Sequence, residues 1–443
     1  MPLSTDKQTM DDLGISGRNN GEGIPETYNR CVTRGGSDML GDMFRNPLSG
    51  AEAISRRLGI IRFFSTEERR FPFTPGNFDV IEQFLHNRDE RTGVRMQGGL
   101  LGQLDKLAGK DLQSDLIGKG VHATLDFIRE CRDFYRSLTC SSGHEYFGEY
   151  MAVLSVMNIP AFAAAADKSG KLSNEDMVHF DALFRFRERD RLYILLRHAY
   201  MLDVYIAVGR VARERNYTFP VVVQQQEPLL QLNDFFHPLI ANAIPNNLDV
   251  SGVNHVIFLT GANMAGKSTF MKSVSIVLLL AHMGFPVPAA HMKFAPLDGL
   301  YTTINLPDNL GIGASHFYAE VLRVKKIVRE LAAGKRLFVV FDELFRGTNV
   351  KDAYEGTVAI TRGFAGAARS MFIVSTHVLE AADTLREDCA GIQYVYMPTE
   401  MNGTQPVYSY RMKNGISADR HGMLIVQNEG ILEMLEQGLK KQQ

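Results

Sequence analysis

The sequence predicts an α + α/β protein, with a helical half followed by an α/β half built on a largely parallel sheet. Three observations predict it. Apolar residues before Pro220 recur at helical spacing. After Pro220, short continuous apolar runs alternate with helical stretches. A glycine-bearing loop then joins the first of the strong apolar runs, HVIFLT at 255–260, to a helical run at 269–280. At 443 residues the chain is too long for one hydrophobic core, so more than one domain is expected.

Residues 1–36 are rich in Gly, Asn, Asp and Ser, with RNNGEG at 18–23 and RGG at 34–36, and are expected to form a flexible N-terminal segment. A helical domain is expected over 37–221. It opens with Met39, Leu40, Met43 and Phe44 at helical spacing, and a second helix begins near Ser49 with Ile54, Leu58 and Ile61. FPFTPGN at 71–77 is a turn, and 111–138 is helical until Ser141-Ser142-Gly143 stops it. Ser173 with Asp176 three positions on forms a capping box. Only Gly209 interrupts the pattern from there to Asn216, so an unbroken helix would run about 40 residues and roughly 60 Å, the length of a strut or lever. The charged run at 185–191 marks either a solvated face or a break. The α/β domain is expected over 222–443, with strands at VVVQQQ (221–226), HVIFLT, LFVVF (337–341) and MFIVS (371–375), and a short final helix over 429–443.

Composition narrows the function classes. Hydrophobic residues make up 45% and charged residues 22%, as in a soluble globular protein. The net charge of −2 and pI near 6.6 call for no nucleic-acid partner, although so balanced a sum can hide a local basic patch. Cys31, Cys131, Cys140 and Cys389 form no C-x-x-C pair, which speaks against a zinc site or dithiol motif and for idle thiols in a reducing cytosol. The polar, acidic start lacks the basic and apolar regions of a signal peptide, and the longest apolar stretch, 274–283, is too short for a bilayer. The expectation is a cytoplasmic protein with no membrane partner.

The chemistry concentrates in three places. Gly261-Ala262-Asn263-Met264-Ala265-Gly266-Lys267-Ser268 fits G-x-x-x-x-G-K-[ST] between a strand and a helix. Glycines there let backbone N–H groups wrap phosphates, and the following helix directs its positive end at them. Lys267 is expected to reach the β- and γ-phosphates of ATP, and Ser268 to ligate Mg²⁺. LFVVF ends in Asp342-Glu343, a carboxylate pair delivered where open α/β sheets bind ligands. Asp342 suits Mg²⁺ and Glu343 a general base. His377, just past MFIVST, is placed to sense the γ-phosphate. The expected activity is ATP hydrolysis.

Together these residues resemble the MutS family of DNA mismatch-repair ATPases. The family's phosphate loop contains Asn-Met and continues Ser-Thr, as at Asn263-Met264 and Ser268-Thr269. Pro286-Val287-Pro288-Ala289 resembles its V-P-A. Its Walker B strand continues D-E-x-x-R-G-T, matched by Asp342-Glu343 with Arg346-Gly347-Thr348, and Asp352 lies further along. Its A-T-H switch is Ser375-Thr376-His377 here, and its S-T-F-x-x-E signature is Ser315-His316-Phe317 through Glu320, departing at His316. Thinner likeness upstream covers Asn46-Pro47-Leu48 with Ile54 and Arg57, then Leu202-Asp203-Val204, Asn216-Tyr217-Thr218 and Phe236-His237-Pro238. Gly415, Ser417, Asp419, Arg420 and Gly422 resemble the family's closing motif.

The resemblance implies a helical core/lever domain followed by an ABC-type P-loop ATPase domain, and a homodimer or heterodimer, with the homodimer expected here, whose ATP sites are each completed by the other subunit's Ser315. It implies DNA as partner, contacted largely through the phosphate backbone, and repair proteins beyond it. It also implies a short member without the N-terminal mismatch-reading domain, since the likeness starts near residue 37. Phe147-Gly148-Glu149 spells the family's wedge motif F-x-E but lies within the expected core. Position 243, where the family often has an aromatic near adenine, is Ala. Two readings therefore stand: a MutS-like, ATP-dependent DNA-binding protein of mismatch repair, and an ATP-switched scaffold that never reads mismatches. Arg187, Arg191, Arg210 and Arg213 are either phosphate contacts or a solvated face, with Asp and Glu interleaved.

Overall fold

The computed structural model describes residues 2–15, 23–66, 69–89, 110–304, 316–402, 405–417 and 430–440. The chain divides into two compact units. One comprises Met1–Thr27, Phe44–Leu58 and Glu214–Gln443, the other Tyr28–Met43 and Gly59–Arg213. Near the N-terminus lie α1 (Lys7–Asp12) and α2 (Ile24–Tyr28), and the chain passes between the units within α3 (Arg34–Arg45) and α4 (Ala51–Thr66).

The helical unit continues with α5 (Gly76–His86), α6 (Lys110–Ser137), α7 (Phe147–Met157), α8 (Pro160–Asp167), α9 (Asn174–Ala182) and α10 (Arg189–Glu214). Its core is aromatic: Phe78 meets Phe127 at 5.3 Å and Tyr200 at 5.4 Å. The capping box forms as the sequence specifies, with Ser173 and Asp176 satisfying each other's backbone N–H at the start of α9. The continuous strut does not form. Leu183–Arg187 is a π-helical turn, and Glu188 leaves the helical region at φ −114°. The cause lies in the charged run itself. Arg185 is 1% exposed. A guanidinium that deep must be paired, and its Nε donates to Asp181 Oδ1 at 2.5 Å and its NH2 to Asp181 Oδ2 at 2.6 Å. A widened turn, of the kind that inserts into helices where a side chain must be re-aimed, accompanies that inward arginine.

The strut is thus a 9-residue and a 26-residue helix, the second about 39 Å long at 1.5 Å per residue. Gly209 does not break α10; a Cβ there would lie 3.2 Å from Ile61 O and Ser65 N, so glycine lets two helices approach closely. Helix α10 is long and apolar enough to cross a membrane, but 72% of its apolar window is buried in the protein, as in a core helix. Phe147 sits in the first turn of α7 and stacks at 6.3 Å on Tyr150.

The other unit holds the sheets. In chain order the strands and helices are β1 (Val221–Val222), β2 (Leu230–Phe235), β3 (Asn246–Val250), β4 (Val256–Gly261), α11 (Lys267–His282), β5 (His291–Phe294), β6 (Gly299–Thr303), α12 (His316–Ala332), β7 (Leu337–Phe341), α13 (Val350–Ala365), β8 (Met371–Ser375), α14 (Glu380–Asp388), β9 (Ile392–Met397), the hairpin β10 (Thr399–Asn402) and β11 (Gln405–Tyr408), β12 (Lys413–Asn414) and α15 (Ile431–Lys440). The main sheet runs β12-β9-β4-β8-β7-β6, parallel except for edge strand β12. A four-stranded sheet runs β1-β5-β2-β3. Strands β4, β6, β7 and β8 are buried along their whole length. That is why β4, β7 and β8 read as nearly unbroken apolar runs rather than alternating ones, whereas β6, GLYTT, is buried without such a run. VVVQQQ contributes only the two residues of β1; the three glutamines carry no ladder.

The expectation of a flexible segment over 1–36 is corrected for residues 2–15, while 16–22 lie outside the described residues. Residues 2–15 are folded onto the sheet unit: Pro2 bridges Leu48, Ser4 bridges Gly299 alongside β6, and α1 is capped by Asp6. Gly and Asp content signalled loop, but Leu3 and Leu13 are 3% and 2% exposed. The polar residues between them find buried partners on β6 and α12.

Candidate functional site

Parallel strands side by side present all their C-terminal ends on one edge, and there the chain turns into loops. In an open α/β sheet that edge is where ligands sit, next to the strand where the connection order reverses. Here that strand is β4: the following strands build up on the β8 side and the chain then crosses to β9 on the other. The loop after β4 needs unusual backbone. Gly261 has φ 143° and a Cβ there would lie 2.8 Å from Met397 O; Gly266 has φ 101° and caps α11. Both conformations favour glycine. Met264, 77% exposed at the loop tip, is also left-handed at φ 67°.

The first turn of α11 carries Lys267 and Ser268. Lys267 is 6% exposed, and its Nζ donates to Gly261 O at 2.8 Å and Ala262 O at 3.0 Å. Burial lowers its pKa, opposed by the charges of Asp342 and Glu343. Ser268 Oγ donates to Asp342 Oδ2 at 2.5 Å, joining the loop after β4 to the end of β7. Burial raises the Asp342 pKa and so does Glu343, against the Ser268 hydrogen bond. Glu343 behaves oppositely. The hydrogen bond from His377 lowers its pKa despite burial, helped by the charges of His377, Arg346 and Lys267. His377 Nε2 lies 2.9 Å from Glu343 Oε1, linking the ends of β7 and β8.

The residues singled out from the sequence at Gly261 through Thr269, Asp342, Glu343 and His377 therefore converge on one edge of one sheet. A hydroxyl and a carboxylate oxygen meeting at Ser268 and Asp342 are hard oxygen donors, a set that suits Mg²⁺ when phosphate oxygens complete it. Among the described residues no group of three His, Cys, Asp or Glu could hold a metal by itself. Ser315, Asp419, Arg420 and Gly422 lie outside the described residues. Ser417 donates its backbone N–H to Thr260 Oγ1 at 3.0 Å, tying the closing motif to β4.

Sequence reasoning missed one neighbour of the loop. A Cβ on Gly266 would lie 3.0 Å from Tyr410 Cδ1, so the Tyr410 ring stands against the glycine-bearing loop after β4. Asn246 fixes this approach: its Nδ2 donates to Tyr410 O at 2.9 Å and to Ile244 O at 3.3 Å, and its Oδ1 accepts from Met412 N at 2.8 Å. Asn246 thus ties the backbone at Ile244 to the backbone at Tyr410, which is 164 residues from Asn246 in sequence. The only local signal was the aromatic run Tyr408-Ser409-Tyr410 before Gly415.

The fold and the site together define an α/β protein whose chemistry sits on the loops after parallel strands. Residues 257–441 match the family model for MutS domain V. Over 267 residues the chain is 30% identical to the DNA mismatch repair protein MutS of Persephonella marina (strain DSM 14350 / EX-H1), a match covering 58% of this chain and 30% of that protein. The chain is thus similar to MutS proteins, over residues 257–441 by the domain V model and over 58% of its length by the relative, and it aligns with about a third of that relative's length.

Proposed function

We propose that the protein binds and hydrolyses ATP with Mg²⁺ and couples this cycle to DNA binding in mismatch repair. One observation carries the reading: Lys267 and Ser268, Asp342 and Glu343, and His377 come from three different strand ends and meet through hydrogen bonds of 2.5 and 2.9 Å. In this reading the 261–266 backbone and the N-terminus of α11 cradle the phosphates of a P-loop, ABC-type domain. Lys267 exchanges its carbonyl partners for β- and γ-phosphate oxygens. Ser268 and Asp342 would hold Mg²⁺, which neutralises charge developing on the phosphates. A water attacks the γ-phosphorus as its bond to the bridging oxygen breaks, and the proton passes to Glu343, kept ionised by His377. Tyr410, whose ring stands against Gly266, offers a face for the adenine in place of the residue at Ala243. Ser315 of a second copy completes the site, which requires a dimer in the cytoplasm.

A second reading is an ATP-switched scaffold, and one feature of the arginines favours it. Arg213 donates to Ser65 O, Arg191 pairs with Glu188 and Arg210 also has a partner, so at least three of the four candidate phosphate contacts are engaged within the chain. ATP turnover measured alone and with homoduplex, mismatched or branched DNA at two salt concentrations separates the two. Stimulation that weakens steeply with salt supports DNA coupling. Turnover indifferent to every DNA at low salt supports the scaffold.

A further inference from the structure

The N-terminal helix and one buried arginine hold the end of β6, the strand beside the acidic end of β7. Arg323 of α12 is 8% exposed and forks across three elements. Its NH1 and NH2 pair with Asp6, the N-cap of α1, and Lys326 Nζ adds a contact to Asp6 at 2.5 Å. Its NH2 also donates to Thr302 O at 2.7 Å, and its Nε to Thr303 Oγ1 at 3.2 Å. From α1, Asp12 Oδ2 accepts from Thr302 Oγ1 at 2.7 Å and Ile304 N at 3.0 Å, and Thr9 Oγ1 accepts from Thr302 N at 3.0 Å. The end of β6 is thereby held on its outer side by α1 and α12. On its inner side Thr303 O accepts the backbone N–H of Asp342 at 2.9 Å, one residue past the Thr303–Phe341 register pair. Asp342 is the last residue before the chain turns left-handed at Glu343, with φ 54°. The far side of that turn is attached as well, because Phe345 packs at 5.6 Å on Phe317 of α12.

We propose that α1 is a positioning clamp for the Asp342-Glu343 turn, with Asp6 and Arg323 as positioning residues. The inference rests on the proposed role of Asp342 toward Mg²⁺. Its physical basis is that a buried guanidinium stripped of its carboxylate must seek water or another acceptor. Arg323 would then loosen its hold on Thr302 O and Thr303 Oγ1, leaving Thr302 to Thr9 and Asp12 alone, and the acceptor of the Thr303–Asp342 hydrogen bond would be less firmly fixed. Burial opposes ionisation of Asp6, yet the hydrogen bonds and charges of Arg323 and Lys326 hold its carboxyl well below the usual carboxylate range, so the pairing is with a charged Asp6.

The test compares the full-length chain with Asp6→Asn and Asp6→Glu. Hydrogen exchange of the backbone amides of residues 342–345 is measured without nucleotide, alongside those of 256–261. With ATP, kcat, KM and the half-saturating Mg²⁺ concentration are measured at saturating ATP well below the melting temperature. Asp6→Asn is expected to speed exchange at 342–345 while 256–261 is unchanged. It should raise half-saturating Mg²⁺ and lower kcat, each by about 10-fold, the range for groups that orient metal ligands. KM for ATP should stay within about twofold, since the phosphate loop is untouched. Asp6→Glu should restore most of each. Exchange unchanged at 342–345, or raised equally across the sheet, overturns the clamp. Should the parent hydrolyse no ATP, the proposed function fails while the exchange measurement still decides the clamp. Arg323→Met is the harsher variant, and Asp6→Asn, close in size to the parent residue, decides the matter if Arg323→Met does not fold.

Discussion

Replacing Glu343 with Gln tests its proposed role as proton acceptor. Gln keeps the length of the side chain and an oxygen able to accept from His377 Nε2, which now lies 2.9 Å from Glu343 Oε1. It removes only the negative charge and the ability to take a proton. The hydrogen bond from His377 is the main cause of the lowered Glu343 pKa, so the group is ionised throughout the neutral range. A general base of this kind contributes about 10²- to 10⁴-fold, or roughly 2.7–5.4 kcal/mol of barrier at 1.36 kcal/mol per decade. Phosphate release under single-turnover conditions should slow by that factor, while fluorescent-nucleotide binding changes by less than about threefold, because Lys267 and the loop supply the binding. His377→Ala supplies the second arm. If His377 acts through Glu343, its removal costs activity in the parent but adds little in the Glu343→Gln background, the non-additivity expected of coupled residues. A Glu343→Gln variant that turns over within threefold of the parent, or strictly additive losses, would refute the assignment.

Lys267→Ala should weaken nucleotide binding at least tenfold, since a buried ammonium that donates to two carbonyl oxygens is the loop's only cationic side chain; titration with a fluorescent ATP analogue checks this. Stability should fall with acid through His282. That ring is fully buried, with Nδ1 2.8 Å from Leu48 O and Nε2 3.4 Å from Leu297 N. Burial lowers its pKa from 6.5 to about 4. It is neutral in the folded chain and protonated in the unfolded one between those values. Its contribution is therefore complete above about pH 6.5 and lost as pH falls to about 4, some 3 kcal/mol at 1.36 kcal/mol per unit. Urea midpoints from pH 7 to pH 4 should show that slope, and His282→Gln should be less stable at pH 7 with a shallower fall; an unchanged slope refutes it.

Most of the candidate site was legible because its residues are local to short motifs at strand ends, and an unbroken apolar run identifies a doubly covered strand wherever it occurs. LFVVF, MFIVS and the core of HVIFLT became β7, β8 and β4 for that reason. The parts that escaped depend on partners far away in the chain. Arg185 reads as one of a charged run, and only Asp181 and the burial around it turn it into the centre of a π-helical turn. Thr9 and Asp12 read as loop residues until Thr302, 293 and 290 positions away, supplies their partners. Tyr410 reaches the loop only because Asn246 holds its backbone across 164 residues. Hydrophobic period and turn chemistry are properties of a window, whereas satisfying a buried polar group is a property of the whole fold.

The turn that carries the carboxylates shows how the two kinds of information combine. Glu343 and Phe345 are both non-glycine residues with positive φ, 54° and 62°. Such conformations cost of order 1–3 kcal/mol each and persist only where their surroundings over-determine them. Phe345 is 5% exposed in the cluster formed by β7, α12 and α13, and Phe317 packs on one side of it. On the other side is Gly356 of α13, where a Cβ would lie 2.6 Å from Phe345 Cδ2, so the helix is bare where the ring must enter. Burying an aromatic ring yields about 1.5–3 kcal/mol, enough to offset the strain at Phe345. With Phe345 seated, Leu344 buried at 4% exposure and Asp342 N fixed to Thr303 O, Glu343 lies between anchored neighbours on both sides. The left-handed conformation of the carboxylate is therefore imposed by packing two residues downstream and by a strand hydrogen bond one residue upstream. Its orientation toward His377 follows from the core rather than from the carboxylate's own preferences.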